Sequence, residues 1–558
     1  MVKEYGVQSR IYKKRSVETQ NVRSVTMKKL LAMLLALVMV LSFAACGETE
    51  TPVEPEVESS DVETPTEDEP TFEAVHVERD DWSDEVKKAI NDFVDMYGMA
   101  SENYAEGQSY VVFDFDNTTS IFDVEEQLAV YQLQVMAFAF TPEEMPAILA
   151  TELAQSLENG MDTDLTDLGY GNGSYNDWIA DITAAYTYLY NTYGPFTAAG
   201  LDADAQATIQ ADAQWAEFAT KMRAMYDLVY DAESPAVAYP WVLYWFTGMT
   251  EQEVYDLAYA SHSYYGAVET SEVTWSTAGE GTKVGAVEYT WTSGTGVSEN
   301  LKELYRVLDA NGIDVWVCSA SAIDPIRAAV DAFGLHDYVT GVIAMARVLD
   351  EEGKYVNAYD YETGYGWKVV DGEWEKDNLA LGAQTQGVGK VESINAAIWP
   401  YYGVGPLAGF MDSTGDFNFC TEYANLKLVI NFNRASRKVT DGGGVIAELA
   451  VYQRDYLGYD LATANAAGDT YYVLQGRDEY GLRGLRNSDK TMRYGKDEEL
   501  LFRNEDNEAQ LQYMIDNAMT TEEIINLFAV KTAADAEGNV LGFKYGFVAT
   551  YAGYHNIK

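Results

Sequence analysis

The chain has 558 residues, of which 47% are hydrophobic, so it is long enough for a packed core with large insertions or additional domains. Its formal net charge of −52 argues against nucleic-acid binding, which requires a basic surface. Three cysteines are too few for a disulfide scaffold, and the sequence requires no bond between Cys318 and Cys420.

The first predicted element is an N-terminal targeting segment. From Met27 the chain reads MKKLLAMLLALVMVLSFAACGETE, in which two lysines precede an apolar run at residues 30–43. This run is shorter than the roughly 18–20 residues of a membrane-spanning helix. With the small residues that precede Cys46, the segment resembles a bacterial lipoprotein signal, which implies cleavage before Cys46 and lipidation of its thiol. An ordinary secretory signal is the alternative.

The residues on either side of the signal carry no fold pattern. Residues 1–26 are interpreted as an upstream extension, with Met27 as the true start, so that residues 1–46 form one unit with the signal. Residues 47–80 are rich in Pro, Thr and Glu and have few large apolar side chains, which predicts a disordered acidic tether. The expected location is extracytoplasmic, at the cell membrane through the lipid anchor, or secreted.

The folded part is predicted to begin with a helix and a buried strand. Apolar residues at helical spacing predict a helix over residues 82–97, and SYVVFDFD predicts a strand over residues 109–116. Residues 125–297 are mostly helical in pattern and rich in Ala and aromatic residues, with strand-like alternation at residues 273–291. We therefore expect a large helical cap over residues 125–297.

Strands and helices then alternate along the chain. Helices are predicted over residues 298–310, 324–333 and 389–398, and strands over residues 313–321, 339–346, 406–413 and 426–432. Such alternation predicts an α/β fold with a parallel sheet. The predicted core comprises residues 81–124 and 298–435, and residues 436–558 form a C-terminal α/β extension packed on it. Within that extension, the glycine run at residues 442–444 is interpreted as a loop, and a helix is predicted around residues 521–528.

Polar side chains stand at or near the predicted strand ends, where ligands gather in α/β sheets. Carboxylate oxygens favour Mg²⁺, a carboxylate can attack phosphorus, and lysine and hydroxyl donors take up charge on a transferring phosphoryl group. The sequence therefore predicts a metal-assisted phosphoryl-transfer site. Its candidate residues are Asp114, Asp116, Thr118, Ser319, Ser321, Lys390, Asp412 and Asp416.

These residues lie in the segments DFDNTT, VCSAS, GK and DSTGD, which resemble, in this order, the four motifs of the haloacid-dehalogenase-like (HAD) phosphohydrolases. The resemblance implies a Rossmann-like α/β core with a parallel sheet and a large, mostly helical cap inserted between the first and second motifs. It also implies an Mg²⁺-dependent phosphoric monoester hydrolase whose substrate is a small phosphomonoester.

The resemblance further implies a role for each site residue. Asp114 would be the nucleophile that becomes an aspartyl-phosphate, and Asp116 would protonate the leaving group and then activate water. Thr118 would support this loop at the substrate, Ser319 would bind the phosphoryl group, and Lys390 would balance charge. The implied metal ligands are Asp114, Asp116 through its carbonyl, Asp412 and Asp416.

Two positions leave this assignment open. Met411 stands where the family usually has Gly before the acid of the last motif, although both acids are in place. Lys376 is an alternative to Lys390, but Lys390 opens a predicted helix and fits better.

The stretch DNTTSIFDVEEQL resembles bacterial phosphorylcholine phosphatases, which implies that Glu126 faces the choline ammonium. Aromatic faces attract such a cation and could come from the cap residues Trp178, Trp215, Trp241, Tyr244 and Trp245. Alternatively, Glu125 and Glu126 only open a helix and the aromatic residues fill the cap core. The alternative functions are hydrolysis of another small phosphomonoester, or ligand binding by a non-catalytic lipoprotein with a HAD core.

Overall fold

The computed structural model describes residues 72–526, except residues 171, 234, 360–364, 378–383, 436–441, 497 and 500–504. The predicted lipoprotein signal with Cys46, most of the predicted tether and the last part of the helix predicted at residues 521–528 lie outside the described residues. Within the part that the structure describes, no helix is both long enough and apolar enough to cross a membrane.

The strands and helices predicted between residues 82 and 432 occur in the predicted order, and the structure adds further elements. The strands are β1 (Tyr110–Phe113), β2 (Ser271–Ser276), β3 (Glu288–Ser293), β4 (Asp314–Ala322), β5 (Gly341–Met345), β6 (Arg347–Leu349), β7 (Tyr355–Tyr359), β8 (Gly366–Val370), β9 (Glu373–Asp377), β10 (Ala408–Met411), β11 (Leu428–Phe432), β12 (Tyr471–Gln475), β13 (Arg477–Asp478), β14 (Gly484–Leu485), β15 (Thr491–Met492) and β16 (Glu498–Glu499). The helices are α1 (Asp84–Tyr97), α2 (Val124–Val135), α3 (Met145–Leu149), α4 (Leu153–Ser156), α5 (Tyr175–Tyr193), α6 (Ala203–Gln210), α7 (Ala213–Ala232), α8 (Pro235–Leu243), α9 (Glu251–Ala267), α10 (Glu299–Ala310), α11 (Ile323–Ala332), α12 (Val388–Ala397), α13 (Trp399–Tyr402), α14 (Gly442–Val451), α15 (Leu461–Ala467) and α16 (Glu505–Asp516).

An eight-stranded sheet forms the centre of the fold, in the order β12-β11-β10-β1-β4-β5-β8-β9. The strands from β12 to β5 in this order are parallel, and the hairpin β8–β9 adds two antiparallel strands at one edge. The strands β1, β10, β11 and β12 are buried along their whole length, as expected for a parallel sheet covered on both faces. The predicted α/β fold is therefore confirmed.

A mostly helical cap is inserted between β1 and β4, as expected from the resemblance to HAD proteins. It contains α2–α9 and the antiparallel hairpin β2–β3. Its helices enclose an apolar core of their own, in which the side chains of Trp178, Trp241 and Trp245 are fully buried. The high aromatic content of the chain thus fills the cap interior, which is the second of the two interpretations offered by the sequence.

The central sheet continues beyond residue 435, because β12 pairs with β11 in parallel. The glycine run at residues 442–444 begins α14, so the prediction of a loop is wrong. The physical reason is close packing against the Asp412 loop: a Cβ atom added to Gly443 would lie 2.2 Å from the Asp412 carbonyl oxygen. The run therefore lets a helix approach the backbone at the end of β10.

Candidate active site

The first acid pair lies where β1 ends. The Asp114 amide still donates to the Phe410 carbonyl oxygen at 3.1 Å, so its position is fixed by the neighbouring strand. The chain then turns sharply at Asn117, which has φ 62°, a left-handed conformation that Asn adopts more readily than most residues. Arg477 stabilises this turn by donating to the Asn117 carbonyl oxygen at 2.9 Å. The turn directs successive polar groups into one cavity.

Lys390 joins the two acid pairs. Its Nζ lies 2.5 Å from Asp114 Oδ1 and 2.6 Å from Asp416 Oδ1, and all three side chains are buried. Gly387, with φ 57° and ψ −125°, makes the turn before α12 that places Lys390 in the first helical turn. By contrast, Lys376 lies on β9 and pairs with Glu251, so the structure brings Lys390 rather than Lys376 to the acids.

The second acid pair contributes a cluster of carboxylates. Oxygen atoms of Asp114, Asp412 and Asp416 lie within 4.8 Å of one another, and the three residues are buried. Such an all-oxygen donor set has the chemistry that Mg²⁺ prefers, so these residues fit the expected metal. Around Asp412, Arg434 Nη1 lies 3.0 Å from Oδ2 and Thr118 Oγ1 lies 3.5 Å from Oδ1.

Asp116 faces the end of β4 instead of this carboxylate cluster. Its Oδ2 accepts hydrogen bonds from Ser321 Oγ at 2.6 Å and Ser319 Oγ at 3.3 Å, and its Oδ1 accepts one from the Val124 amide at 2.7 Å. The Ser319 hydroxyl also accepts from the Ser321 amide at 3.1 Å. Both serines thus hold the Asp116 carboxyl in place.

Burial governs the protonation of these groups. Burial, followed by the Asp416 carboxylate, raises the pKa of Asp114 above its ordinary range. Burial raises the pKa of Asp116 to about 7, although the Ser321 hydroxyl opposes the shift. Burial alone would lower the pKa of Lys390, but the Asp114 and Asp416 carboxylates outweigh it and raise the pKa, so the ammonium form persists.

Two adjoining cavities open over these residues. The acid cavity, of about 90 Å³, is lined by Asp114, Asp116, Asn117, Asp123, Glu125, Glu126, Tyr226, Tyr239, Val242, Ala320, Ser321, Gln386, Lys390, Asp412, Ser413, Gly415, Asp416 and Arg434. The aromatic cavity, of about 560 Å³, shares six of these residues, namely Asn117, Asp123, Glu126, Tyr226, Tyr239 and Arg434. It adds residues of the cap, among them Arg223, Asp227, Tyr230, Asp231, Tyr289 and Trp291.

The neighbouring residues Glu125 and Glu126 have different surroundings. Both amides donate to Asp123 Oδ1, so Asp123 caps the N-terminus of α2. Burial, and then the charge of Asp123, raise the pKa of Glu125 to about 8, so this carboxyl is largely protonated at pH 7. The Glu126 side chain is 50% exposed, and its Oε2 lies 3.7 Å from Nη2 of the buried Arg223. Glu126 therefore lies at a helix start, as one interpretation predicts, and it also lines both cavities.

The aromatic groups beside the site differ from those proposed from the sequence. Trp178, Trp241 and Trp245 lie in the apolar core of the cap with Trp215 and Tyr244, and the cavity walls are formed by other aromatic residues. The expectation that they supply cation-binding faces is therefore wrong, because packing of the cap helices buries them. The aromatic residues that line the cavities are Phe122, Tyr226, Tyr230, Tyr239, Tyr289 and Trp291.

The sequence interpretation missed some residues of the site. Arg434 follows β11 by two residues, so the strand-end argument applied to the fourth predicted strand would have found it. Ser321 is a candidate from the sequence, but the sequence does not predict its contact with Asp116. By contrast, Tyr226 and Tyr239 come from cap helices, and no sequence signal separates them from the many tyrosines of the cap. Cys318 and Cys420 are buried free thiols.

Comparisons with known proteins add one similar fold. No family model matches the chain, and no curated protein matches it. The crystal structure of a conserved functionally unknown protein from Anaerococcus prevotii DSM 20548 is similar, with 25% sequence identity and a TM-score of 0.59 over 75% of this chain and 98% of that chain. A weaker match is cytosolic 5'-nucleotidase IIIB bound to cytidine, with 14% identity and a TM-score of 0.25 over 63% of this chain and 78% of that chain. The first match shows that another chain shares this α/β fold.

Proposed function

We propose that this protein is an Mg²⁺-dependent phosphomonoester hydrolase of the HAD type that acts through an aspartyl-phosphate. The observation that carries the proposal is the meeting of Asp114, Lys390 and Asp416 at hydrogen-bonding distance, with Asp412 beside them and Asp116 facing two serines. These groups come from segments far apart in the chain and meet at the ends of neighbouring parallel strands, where an α/β sheet holds its ligands.

Asp114 is the proposed nucleophile. One of its carboxylate oxygens attacks phosphorus, a phosphorus–oxygen bond to Asp114 forms, and the bond from phosphorus to the alcohol oxygen breaks. The ammonium of Lys390 stays beside Asp114 Oδ1, where it favours the ionised carboxylate and balances the charge of the phosphoryl oxygens. Asp114 is buried, and the hydrogen bond from its amide to the Phe410 carbonyl oxygen fixes its backbone position.

Asp116 is the proposed general acid and base. With a pKa raised to about 7, its carboxyl can hold a proton at neutral pH and give it to the departing alkoxide. The resulting carboxylate then takes a proton from water, which attacks the aspartyl-phosphate and releases inorganic phosphate and Asp114. Ser319 and Ser321 keep the Asp116 carboxyl oriented through both steps.

Asp114, Asp412 and Asp416 would hold the metal ion. A bound Mg²⁺ supplies positive charge that favours ionised carboxylates and stabilises charge on phosphoryl oxygens. The carbonyl of Asp116 is the further ligand implied by the resemblance, whereas its carboxyl is engaged by the serines. Thr118 Oγ1 lies 3.5 Å from Asp412 Oδ1, so Thr118 would support a metal-binding residue as well as the loop after β1.

Phosphorylcholine is the proposed substrate. Three acids, Asp123, Glu125 and Glu126, line the acid cavity together with Tyr226 and Tyr239. Burial raises the pKa of Asp123 and of Glu125 and favours their neutral forms, so Glu126 and the two tyrosine rings are the groups that would attract a quaternary ammonium. Glu126 is the proposed partner of the ammonium, because it lines both cavities and is half-exposed. Arg223 opposes this role, since its guanidinium already lies 3.7 Å from Glu126.

We also propose that the enzyme is anchored outside the cytoplasm by a lipid on Cys46. The sequence pattern before Cys46 supports this location, and an acidic tether would hold the enzyme away from the anionic membrane surface. Metabolic labelling with a radioactive fatty acid tests it: the wild type incorporates label and Cys46→Ser does not. Labelling of neither protein would contradict the anchor and favour a secreted enzyme, and labelling of both would exclude Cys46 as the lipidated residue.

The decisive experiment is phosphate release from phosphorylcholine with and without Mg²⁺, compared with Asp114→Asn. We expect release only with Mg²⁺ and a loss of at least about 1000-fold in the variant, because an amide is not a nucleophile for phosphorus. Phosphoethanolamine, sugar phosphates and nucleotides are assayed in parallel to identify the alcohol. An equally active Asp114→Asn variant would exclude the aspartyl-phosphate, and an inactive wild type would favour a ligand-binding lipoprotein.

A further inference from the structure

Lys390 and Arg434 both form ion pairs with the carboxylate cluster, and their environments differ. Lys390 is 1% exposed and is held by both Asp114 and Asp416. Arg434 is 45% exposed, and its Nη1 lies 3.0 Å from Asp412 Oδ2. One cation is therefore fixed inside the protein, whereas the other reaches the cluster from its solvent side.

A divalent ion bound by the cluster would meet Arg434. Asp412 offers two oxygens, and one lies beside Arg434 while the other lies 3.5 Å from Thr118 Oγ1. An ion that uses an Asp412 oxygen brings two positive charges close to the guanidinium, where like charges repel strongly in a partly buried site. The pair between Arg434 and Asp412 and a metal–Asp412 bond therefore compete.

The Arg434 side chain also borders open space into which it can rotate. It lines both cavities, and the aromatic cavity of about 560 Å³ carries the acids Asp123, Glu126 and Asp231 on its wall. A long arginine side chain reaches alternative partners by rotation of its own torsions. The nearby Arg477 is less able to move, because it is buried and donates to the Asn117 carbonyl oxygen and to Glu479 at 2.9 Å each.

We propose that Arg434 is an exchangeable counter-cation of the metal site. Without a divalent ion, Arg434 neutralises Asp412; when the ion binds, Arg434 leaves Asp412 and turns towards the acids of the aromatic cavity. Binding of the metal thereby changes the charge of the aromatic cavity, which shares Glu126 with the acid cavity. This inference rests on the proposed metal site and is independent of which phosphomonoester is the substrate.

Isothermal titration of the full chain with MgCl₂ tests the exchange by a readout other than activity. We expect Arg434→Gln to bind Mg²⁺ about three- to tenfold more tightly than the wild type, because the ion no longer displaces a cation. The matched control is Arg79→Gln, since Arg79 is 44% exposed and pairs with Asp81 away from the site. The control should leave the dissociation constant unchanged. Unchanged or weaker binding by Arg434→Gln would overturn the proposal.

Crystal structures of the wild type with and without Mg²⁺ test the movement itself. The expected result is an Arg434–Asp412 pair only in the metal-free crystal. An intact pair beside bound Mg²⁺ would overturn the exchange while leaving the hydrolase proposal in place. If the wild type binds no Mg²⁺ in the titration, the metal site and the exchange both fail.

Discussion

The two sides of the site are built differently. On the sheet side, Asp114, Lys390 and Asp416 are buried, come from strand ends or a first helical turn, and contact one another directly. On the cap side, Glu126 is half-exposed at the wall of a larger cavity, where it lies 3.7 Å from Arg223.

We infer from this difference that the sheet side carries the phosphoryl-transfer chemistry and that the cap side determines substrate selectivity. A buried charge that loses its partner is strongly destabilising, so the sheet side tolerates little change. Half-exposed ion pairs contribute little to stability because water screens them. Side chains on the cap side can therefore be substituted, and the substrate preference altered, without loss of the fold. We therefore expect mutations on the sheet side to have the larger effects.

The largest expected effect comes from Lys390→Met. It leaves Asp114 and Asp416 buried without their shared cation, which should lower the free energy of unfolding by about 3–5 kcal/mol. It should also reduce phosphate release by about 1000-fold, because the phosphoryl charge is no longer balanced. Urea unfolding and a phosphate assay measure the two effects.

Lys376→Met is the matched control for this change. Lys376 pairs with Glu251 at 2.8 Å on the β9 hairpin, and both side chains are partly exposed. The pair should contribute at most about 1 kcal/mol, and turnover should stay at the wild-type rate. Equal losses in the two lysine variants would contradict the distinction between the two environments.

The second prediction concerns the contact between cap and core. His262 on α9 is buried, and its Nε2 lies 3.1 Å from the Pro325 carbonyl oxygen on α11. Burial lowers its pKa from 6.5 to about 4. Between pH 6.5 and pH 4 the unfolded chain therefore binds a proton at His262 that the folded protein does not bind. The contribution of His262 to the free energy of unfolding is fully present above pH 6.5 and is lost as the pH falls to 4.

At about 1.4 kcal/mol per pH unit, the loss should reach about 3 kcal/mol between pH 6.5 and pH 4. His262→Gln should lack this part of the acid sensitivity. The measurement is the difference in the free energy of unfolding between wild type and variant across this pH range. A constant difference would show that protonation of His262 is not linked to folding.

The strand-end logic explains how much of the site could be predicted from the sequence. Asp114, Lys390 and Asp412 follow local patterns at strand or helix ends, and parallel pairing brings such ends together. Arg434 obeys the same logic but falls outside the recognised motifs. The sequence could not select Tyr226 and Tyr239 as cavity residues, because which face of a cap helix meets the sheet depends on packing between distant helices.

A third, smaller effect is expected from Gly443→Ala on α14. The added Cβ would lie 2.2 Å from the Asp412 carbonyl oxygen, so the helix or the metal-binding loop must shift. We expect a loss of about 1–3 kcal/mol in the free energy of unfolding and weaker Mg²⁺ binding. Gly484→Ala is the control, because no atom lies within 4 Å of its added Cβ. A Gly443→Ala protein as stable as this control would contradict the close packing.

The smallest effect is expected on the cap side, from Glu126→Gln. A half-exposed carboxylate attracts an ammonium group by about 0.2–1 kcal/mol, so the variant should raise the KM for phosphorylcholine by up to about fivefold. The KM for a phosphomonoester of an uncharged alcohol should stay constant, since that substrate has no cation to lose.

Glu143→Gln, at an exposed position of the cap, controls for the general loss of negative charge. Its ratio of the two KM values should equal that of the wild type. An unchanged ratio in Glu126→Gln as well would show that Arg223 already neutralises Glu126.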